Sequence, residues 1–452
     1  MAFVLFACLS SNKAQNSDSI EIKKIYNEAL SNDIAYKKLE YLCKNTAGRI
    51  CGTPQAAAAV EWAEQKMKEL GFDTVYLQPL KVHSWKRGNK ETAKMASTLL
   101  GDHNLSICAL GESIGTGEQG ISAQVIEVKN FEELKTLGKE KIKGKIVFFN
   151  RAMDPTQIYT FNAYGGAADQ RVHGASEAAK YGAIGVIVRS LSESLDDFPH
   201  TGIMRYDKDI DTIPAVAVST LGADLLSNWL KKDKNLILHY TTTCKQFPET
   251  NSYNVIGEIK GSEFPNQYII VGGHIDAWDN GEGAHDDGIG VIQSMEVLRL
   301  FKTLNIKPKH TLRAVIFMDE EVAQRGGKKY AELSKLNKET HIAAIESDRG
   351  GFTPTGFSID APIETVNKLK NNWGKLFEPY GIYQLIKGGS GVDISPLKDQ
   401  NFPLFGLMTD SQRYFDYQHA ASDTFEKVNK REMQMGSAAM AAMIFLIDKY
   451  GL

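Results

Sequence analysis

The chain has 452 residues, 42% of them hydrophobic and 24% charged, and its formal net charge is −3. It is longer than one ordinary domain and has enough apolar content for a globular core, so we expect two domains, or one domain with a large insertion. The near-neutral charge gives no reason to expect nucleic acid or an anionic membrane as a partner.

The first residues, MAFVLFACLSS, are apolar, and no Lys or Arg precedes Lys13. We interpret residues 1–18 as the remnant of an export signal and a polar spacer, which predicts an extracytoplasmic protein, secreted or periplasmic. The order Leu5-Phe6-Ala7-Cys8 allows a lipid anchor at Cys8, although Phe6 departs from that pattern; a terminus with no targeting role is the alternative. No later run has the roughly 20 apolar residues of a membrane span.

Residues 19–107 predict helices followed by a strand. The stretch AAAAVEWAEQKMKELGF combines strong helix formers with an apolar stripe, and a glycine lies at its end. The next run, DTVYLQPLKVHSW, has the composition of a strand. We interpret these residues as the first part of the main domain.

Residues 108–245 differ from their surroundings. Short β-rich runs such as SAQVIEV and GKIVFFN are broken by Gly and Pro, and one clear helix, GASEAAKYGA, lies among them. This pattern predicts a separate small β-rich domain inserted into the main one. Cys108 and Cys244 flank the insertion, whose two ends should meet, so a disulfide between them is one hypothesis. Buried free thiols are the alternative.

Residues 246–452 alternate apolar strands with amphipathic helices. QYIIVGGH, TLRAVIFMD and IAAIESD read as strands, whereas GIGVIQSMEVLRLFKTL and RGGKKYAELSKL read as helices. This alternation predicts an α/β domain with a mostly parallel sheet covered by helices on both faces. In such sheets ligands bind just beyond the carboxyl ends of the strands.

Side chains with metal-binding chemistry follow these predicted strands and the nearby loops GEGAHDDGIG and YQHAASDT. They are His274, Asp286, Glu320, Glu321, Asp348 and His419. Two metal ions about 3.5–4 Å apart need two outer ligands each, one carboxylate to bridge them and one free carboxylate to move protons. The set offers each part once, so the sequence predicts a two-metal hydrolase site.

Three neighbouring residues have alternative roles. Consecutive side chains tend to point apart, so we assign Asp286 to the metals and expect backbone partners for Asp287, with a helix N-cap pair as the alternative. His285 is a rival ligand, but it would have to point back over the same ion. Asp276, two residues after His274, could orient that histidine.

Longer stretches without candidate ligands carry a family resemblance. They are RVHGASEAAKYGAIGVIVRS, FPHTGI, FPETNSYNVIGEIKGSEFPNQ and PTGF. From about residue 20 to 450 the chain resembles the co-catalytic zinc exopeptidases, the family of bacterial leucyl aminopeptidases and glutamate carboxypeptidases. Within it the chain is most similar to the plasma glutamate carboxypeptidase (carboxypeptidase Q) subgroup. The resemblance implies the zinc exopeptidase fold, with residues 19–107 and 246–452 as the catalytic domain. It also implies that residues 108–245 are a protease-associated domain over the cleft.

The resemblance further implies two Zn²⁺ ions per chain. The ligands would be His274 and Asp348 for one zinc, Glu321 and His419 for the other, and Asp286 between them. Glu320 would be the general acid/base and Asp276 would support His274. The implied reaction is hydrolysis of dipeptides or short peptides through a metal-bridging water activated by Glu320. Relatives of this subgroup are often homodimers.

The oxyanion donor departs from the family pattern. Many aminopeptidases of the family have a Tyr before the final His, but this chain has Gln418 there, with Tyr414 and Tyr417 nearby. A Gln amide can also donate. By resemblance the loop GGSGVDI, with Gly389 and Ser390, would line the substrate pocket.

The sequence leaves open whether the free amine or the free carboxylate of the substrate is recognised. Arg151, Arg171 and Arg205 of the insertion could meet a substrate carboxylate, with solvated surface as the alternative for each. Two other functions compete with the exopeptidase. A single-zinc acyl transferase of the glutaminyl cyclase type would bind one ion per chain, and a non-catalytic binding protein on this scaffold would lack ligands.

Overall fold

The computed structural model describes residues 17–452. Within that range the strands form two sheets of eight strands each. The helices are α1 (residues 17–30), α2 (Ile34–Asn45), α3 (Pro54–Glu69), α4 (Phe131–Ile142), α5 (Thr160–Ala167), α6 (Asp169–Ala179), α7 (Thr220–Lys232), α8 (Ile289–Thr303), α9 (Arg325–Leu336), α10 (Ile363–Phe377), α11 (Tyr414–Tyr417) and α12 (Lys430–Tyr450). Short helical segments of three to six residues lie at Ala284–Gly288, Glu378–Tyr380, Ser395–Gln400 and Phe425–Lys427.

The strands follow the same chain order. They are β1 (Thr74–Lys86), β2 (Thr92–Ser97), β3 (Gly101–Leu105), β4 (Ile107–Ala109), β5 (Ile121–Val128), β6 (Ile146–Phe149), β7 (Gly185–Arg189), β8 (Ala215–Val218), β9 (Ile237–Thr241), β10 (Lys245–Ile259), β11 (Phe264–His274), β12 (His310–Phe317), β13 (Thr340–Glu346), β14 (Pro354–Asp360), β15 (Gln384–Lys387) and β16 (Leu404–Thr409).

The first sheet has the strand order β1-β10-β12-β11-β13-β16-β14-β15. Its centre is parallel, because β11 pairs in parallel with β12 and β13, and β13 with β16. Antiparallel pairs of β1 with β10, β10 with β12 and β14 with β16 flank that centre. β14 and β15 form one further parallel pair at the edge. The sheet is therefore mixed, and its parallel centre includes β11, β12 and β13, the strands that end at or just before His274, the two glutamates and Asp348.

Helices cover both faces of the first sheet, because successive side chains of a strand point to opposite sides. Leu312 and Ile316 of β12 face the core that also contains α8 and α12. Val315 and Phe317 pack with Tyr330 of α9 on the other face. Almost every residue of α8 is buried, including Glu296 and Arg299, which pair with each other.

The second sheet has the strand order β3-β2-β9-β5-β6-β7-β8-β4. Strands β5 to β8 run parallel, α7 packs Leu226 on one face, and α6 packs Ala178 on the other. This second unit interrupts the first sheet between its paired strands β1 and β10. Because β2 pairs with β9 and β3 pairs with β2, neither strand belongs to the first sheet, and we propose that the boundary of the second unit lies before Thr92 rather than at residue 108.

The cysteine pairing hypothesis is wrong. Cys43, Cys51, Cys108 and Cys244 are all free and buried. Cys108 packs in a hydrophobic cluster of the second unit, whereas Cys244 joins the core of the first sheet. The proposed export signal and the Cys8 anchor lie largely outside the described residues. In residues 17–452 no helix combines the length and apolar content of a membrane span.

Candidate metal centre

The predicted ligands come together at one edge of the first sheet. His274 is the last residue of β11, Glu320 and Glu321 follow β12, and Asp348 follows β13. These three strands are parallel neighbours in the order β12-β11-β13, so their carboxyl ends lie side by side. The turn before α8 brings Asp286 to the same place, and the loop after α11 brings His419.

The Asp286 carboxylate lies between the two histidines. Its Oδ1 is 3.3 Å from His274 Nε2, and its Oδ2 is 3.2 Å from His419 Nε2. His274 Nε2 is also 3.4 Å from Asp348 Oδ1, and His419 Nε2 is 3.0 Å from Glu321 Oε2. The arrangement has two halves, each with one histidine and one acid, that share one carboxylate.

Glu320 lies beside this group without belonging to either half. Its Oε2 is 4.0 Å from His274 Nε2, and its side chain lines the adjoining cavity. Burial raises the pKa of Glu320 well above its ordinary value, and the Asp348 and Glu321 carboxylates act in the same direction, although His274 opposes them. A buried carboxyl with a raised pKa is suited to accept and return a proton.

Asp276 supports both strand ends. Its carboxylate accepts hydrogen bonds from the backbone N–H groups of Asp319 and Glu320, at 2.8 and 3.2 Å, and of Glu321 at 3.3 Å. The partner of His274 Nδ1 is the backbone carbonyl of Asp276, at 2.9 Å, whereas the nearer carboxylate oxygen is 3.8 Å away. Asp276 thus orients His274 through its main chain and holds the glutamate loop through its side chain.

Asp286 and Asp287 point in different directions, and the peptide bond between them is cis. Asp287 accepts hydrogen bonds from the backbone N–H groups of His274 and Gly290, at 3.0 and 2.9 Å. Its carboxylate lies within 4.8 Å of the ligand atoms of His274 and Asp348, but both of its oxygens already have backbone partners. Asp286 keeps its carboxylate for the two histidines.

The rival ligand His285 faces away from this group. Its Nδ1 accepts a hydrogen bond from Gly351 N at 3.2 Å, and its ring stacks on Phe352 with 4.4 Å between centroids. Burial lowers the pKa of His285 to about 4, so the ring is neutral. Its role is to pack beneath the loop rather than to bind at the centre.

The charges of the site depend on one another. Burial disfavours the charged form of each histidine, but the carboxylates of Asp348 and Asp286 raise the pKa of His274 well above its usual range. Glu321 and Asp286 have the same effect on the pKa of His419. Burial alone would raise the pKa of Asp286, yet the two imidazoles hold it well below its ordinary value. Cations at this point would replace the two protons and neutralise the excess of carboxylates.

Unpaired buried atoms are a second sign that the group fits a metal. His274 Nε2, Glu321 Oε1 and Asp348 Oδ1 are buried and have no hydrogen-bond partner in residues 17–452. Such atoms are costly unless they face a ligand. The ligand atoms of His274, Asp286 and Glu321 lie within 4.8 Å of one another. Imidazole and carboxylate donors of this kind suit zinc.

Known proteins share this sequence and fold. The sequence profile described as Peptidase family M28 matches residues 254–444. Carboxypeptidase Q from Bos taurus is 33% identical over 413 residues, which cover 91% of this chain and 85% of that protein. The chain belongs to peptidase family M28. Family membership makes it a zinc metallo-exopeptidase.

Solved structures agree with this assignment. The crystal structure of a Peptidase M28 precursor from Shewanella amazonensis superposes with a TM-score of 0.91 at 32% identity, covering 96% of this chain and 97% of that chain. A zinc aminopeptidase from Bacillus subtilis shares the fold with a TM-score of 0.62 at 20% identity, over 90% of this chain and 93% of that one.

The candidate metal centre opens into a cavity of about 350 Å³, which lies between the unit that contains the first sheet and the unit that contains the second. The first unit contributes Glu320, Glu321, Val322, Gln324, Asp286, Asp348, Val392, Tyr414, Phe415, Gln418 and His419, and the second contributes Phe161, Tyr164, Arg171, Ile203 and Arg205. Stacking joins the two walls, since Phe161 stacks on Tyr414 and Tyr164 on Phe415, with 5.2 and 4.6 Å between centroids. The second unit therefore closes one side of the cavity.

Only some of the predicted substrate residues line this cavity. Gln418 does, and its side-chain Nε2 is 2.9 Å from His419 Nε2. Tyr417 stacks on His285 instead, with 5.5 Å between centroids. In the loop that contains Gly389 and Ser390, both carbonyls accept hydrogen bonds from other side chains, Ser358 and Arg349 respectively. Of that loop, Val392 is the residue on the described cavity wall.

The three arginines differ in their surroundings. Arg171 is buried, its guanidinium donates to Tyr164 Oη at 2.7 Å, and no carboxylate of residues 17–452 forms an ion pair with it. Arg205 donates to the Val322 carbonyl at 3.1 Å. Arg151 pairs with Asp169. Arg171 and Arg205 line the cavity and Arg151 does not.

Sequence reasoning missed the residues that support the centre from outside. Asp423 accepts hydrogen bonds from the backbone N–H groups of His285 and Asp286, at 2.8 and 3.1 Å. His200 and Thr201 of the second unit contact the loop of His419. The motif FPHTGI, which contains His200, carries the family resemblance but has no local feature that indicates a role at the centre. Its position beside His419 depends on contacts such as that of His200 with Gln418, 218 residues apart.

Proposed function

We propose that this M28 peptidase is a di-zinc exopeptidase that hydrolyses dipeptides or other short peptides. The observation that carries the proposal is the position of Asp286, whose two carboxylate oxygens each face a different histidine. A single ion would not require one carboxylate to serve two histidines that each have a further acid beside them.

The short histidine–acid distances divide the proposed ligands into two pairs. His274 and Asp348 would hold one zinc, Glu321 and His419 would hold the other, and Asp286 would bridge them. Zinc bound there would supply Lewis-acid chemistry, polarising the scissile carbonyl and lowering the pKa of water. Asp276, through its backbone carbonyl, keeps the Nδ1 proton of His274 away from the ion.

Glu320 is the proposed general base and acid. Its carboxylate lies beside the ligands and on the cavity wall, within reach of water and substrate. Glu320 takes a proton from the attacking water and then gives it to the leaving amine. The chain holds a carboxyl at this point without using it as a ligand, which supports the separation of roles between Glu320 and Glu321.

Gln418 is the proposed donor to the oxyanion. Gln418 is buried and lines the cavity, and its side-chain Nε2 lies 2.9 Å from the ligand atom of His419. An N–H group at this position can donate to the oxygen on which negative charge develops. Tyr414, which also lines the cavity, is the alternative donor in the same wall.

The substrate is proposed from the shape and charge of the cavity. The second unit, which we propose is a protease-associated domain, closes the cavity on one side. The volume of the cavity, about 350 Å³, is at the small end of the range for ligand pockets. Arg171 is a buried guanidinium with no carboxylate partner among the described residues. A short peptide whose free carboxylate pairs with Arg171 would satisfy it.

Two further features remain predictions from the sequence. They are an extracytoplasmic location, which depends on residues 1–18, and a homodimer, which the family resemblance implies. Neither affects the proposed chemistry.

The test combines metal analysis with a panel of dipeptides. We expect two zinc ions per chain and cleavage of dipeptides with a free carboxylate, with little cleavage of amidated ones. One ion per chain, with acyl transfer instead of hydrolysis, would favour the single-zinc alternative. Two bound ions without cleavage of any peptide would favour a binding protein.

A further inference from the structure

The loop that carries His419 is paired with a segment of the second unit. His200 and Ala420 form an antiparallel bridge. Thr201 N donates to the His419 carbonyl at 3.0 Å, and His419 Nδ1 lies 3.3 Å from the Thr201 carbonyl. The main chain of the second unit therefore contacts both the backbone and the ring of one candidate ligand.

His200 extends this contact to the next residue. Its Nδ1 donates to the Gln418 carbonyl at 2.6 Å, and its side chain is buried. The segment is itself fixed in the second unit, because His200 N donates to Ser190 Oγ at 2.8 Å and Thr201 Oγ1 donates to the Ala109 carbonyl at 2.7 Å. The position of the His419 loop is thus tied to the strands of the second sheet.

The two histidine ligands are supported differently. His274 Nδ1 finds its acceptor at Asp276, in the same unit and two residues away. His419 Nδ1 finds its acceptor at Thr201, in the other unit. An acceptor at Nδ1 keeps the proton there and leaves Nε2 free to bind a metal. Among the described residues, the histidine that depends on contact between the units for its Nδ1 acceptor is therefore His419, in the half of the centre that it forms with Glu321.

We propose that His200 and Thr201 are positioning residues for the ion held by Glu321 and His419. The inference rests on the proposed two-metal function. Loss of the His200 contact should weaken the binding of that ion selectively and leave the ion at His274 and Asp348 bound. Asn280 of the first unit also holds the loop, donating through Nδ2 to the His419 carbonyl at 3.0 Å, so the affinity should fall without being abolished.

The test is metal titration of the full-length protein and its His200 variants, with Zn²⁺ and with Co²⁺, whose absorption reports the coordination of each site. His200→Ala removes the donor to Gln418, and we expect about 10- to 100-fold weaker binding of one of the two ions. His200→Asn places an amide N–H where Nδ1 was and should restore most of the affinity. His341→Ala is the matched control, because His341 is a buried, hydrogen-bonded histidine outside the centre.

Each outcome is informative. His200→Ala with both affinities unchanged, or with both weakened equally and no recovery in His200→Asn, would overturn the inference. So would an equal loss in His341→Ala. If His200→Ala does not fold, His200→Leu retains the volume without the donor and should show the same selective loss. A parent protein that binds one ion would instead contradict the proposed function.

Discussion

The two sheets contribute different kinds of residue to the site. The first supplies every candidate ligand and Glu320, at the ends of buried parallel strands and in the loops beside them. The second supplies none of these, yet it forms one wall of the cavity and holds the loop of His419. The proposed catalytic residues therefore belong to the first unit, whereas the proposed contacts to the substrate and to the His419 loop come from the second.

Removal of the metals should have the largest effect on activity, because all the candidate ligands belong to the first unit and would lose their ions. We expect a chelator to reduce peptide hydrolysis to background and to lower the melting temperature, because the clustered carboxylates would then repel one another. Activity assays and thermal unfolding before and after added Zn²⁺ measure this. Full activity after complete removal of metal would contradict the account.

Glu320→Gln should have the next largest effect. The variant keeps the shape of the side chain but cannot take the proton, so we expect kcat to fall about 10²- to 10⁴-fold. Both ions should remain bound, which metal analysis can verify. Glu332→Gln, at an exposed glutamate of α9 that pairs with Lys329, serves as the control and should be fully active. A fully active Glu320→Gln would remove Glu320 from the mechanism.

Arg171→Gln tests the contribution of the second unit. Loss of a buried charged hydrogen bond corresponds to about 1.5–3 kcal/mol, so we expect KM for dipeptides with a free carboxylate to rise about 10- to 100-fold. kcat and the metal content should change little, and hydrolysis of amidated dipeptides should be unaffected. An equal loss on both substrate types would show that Arg171 only supports the fold.

The smallest expected effect concerns the contact between the units. Burial raises the pKa of Asp416 to about 6, and the Asp196 and Glu193 carboxylates of the second unit add to it. Because the folded pKa is raised, the free energy of unfolding should fall as pH rises from about 4 to about 6, where Asp416 ionises. Asp416→Asn should lose this part of the pH dependence, which denaturant unfolding at several pH values measures. If the free energy of unfolding of Asp416→Asn had the same pH dependence as that of the parent, Asp416 would not be the group that titrates at this contact.

The convergence of the candidate ligands could be predicted because their positions follow local rules. His274, Glu321 and Asp348 end or follow apolar runs, and the carboxyl ends of parallel strands meet in one place. The assignment of Asp286 rather than Asp287 followed from the tendency of consecutive side chains to diverge, and the structure gives Asp287 two backbone partners.

The contribution of the second unit could not be predicted, because it depends on contacts distant in sequence. β2 joins the second sheet through pairing with β9, more than 130 residues along the chain, and β3 joins it through pairing with β2. Nothing near His200 indicates that its ring contacts Gln418, and nothing near Arg171 indicates that it is buried without an acid. Such features follow from tertiary packing rather than from local pattern.

The central claim is that Asp286 joins two metal ions. Anomalous diffraction at the zinc absorption edge, from crystals of the zinc-loaded enzyme, tests it directly. We expect two peaks about 3.5–4 Å apart, on either side of the Asp286 carboxylate, one beside His274 and one beside His419. A single peak, or two peaks of which one is out of reach of Asp286, would contradict the account.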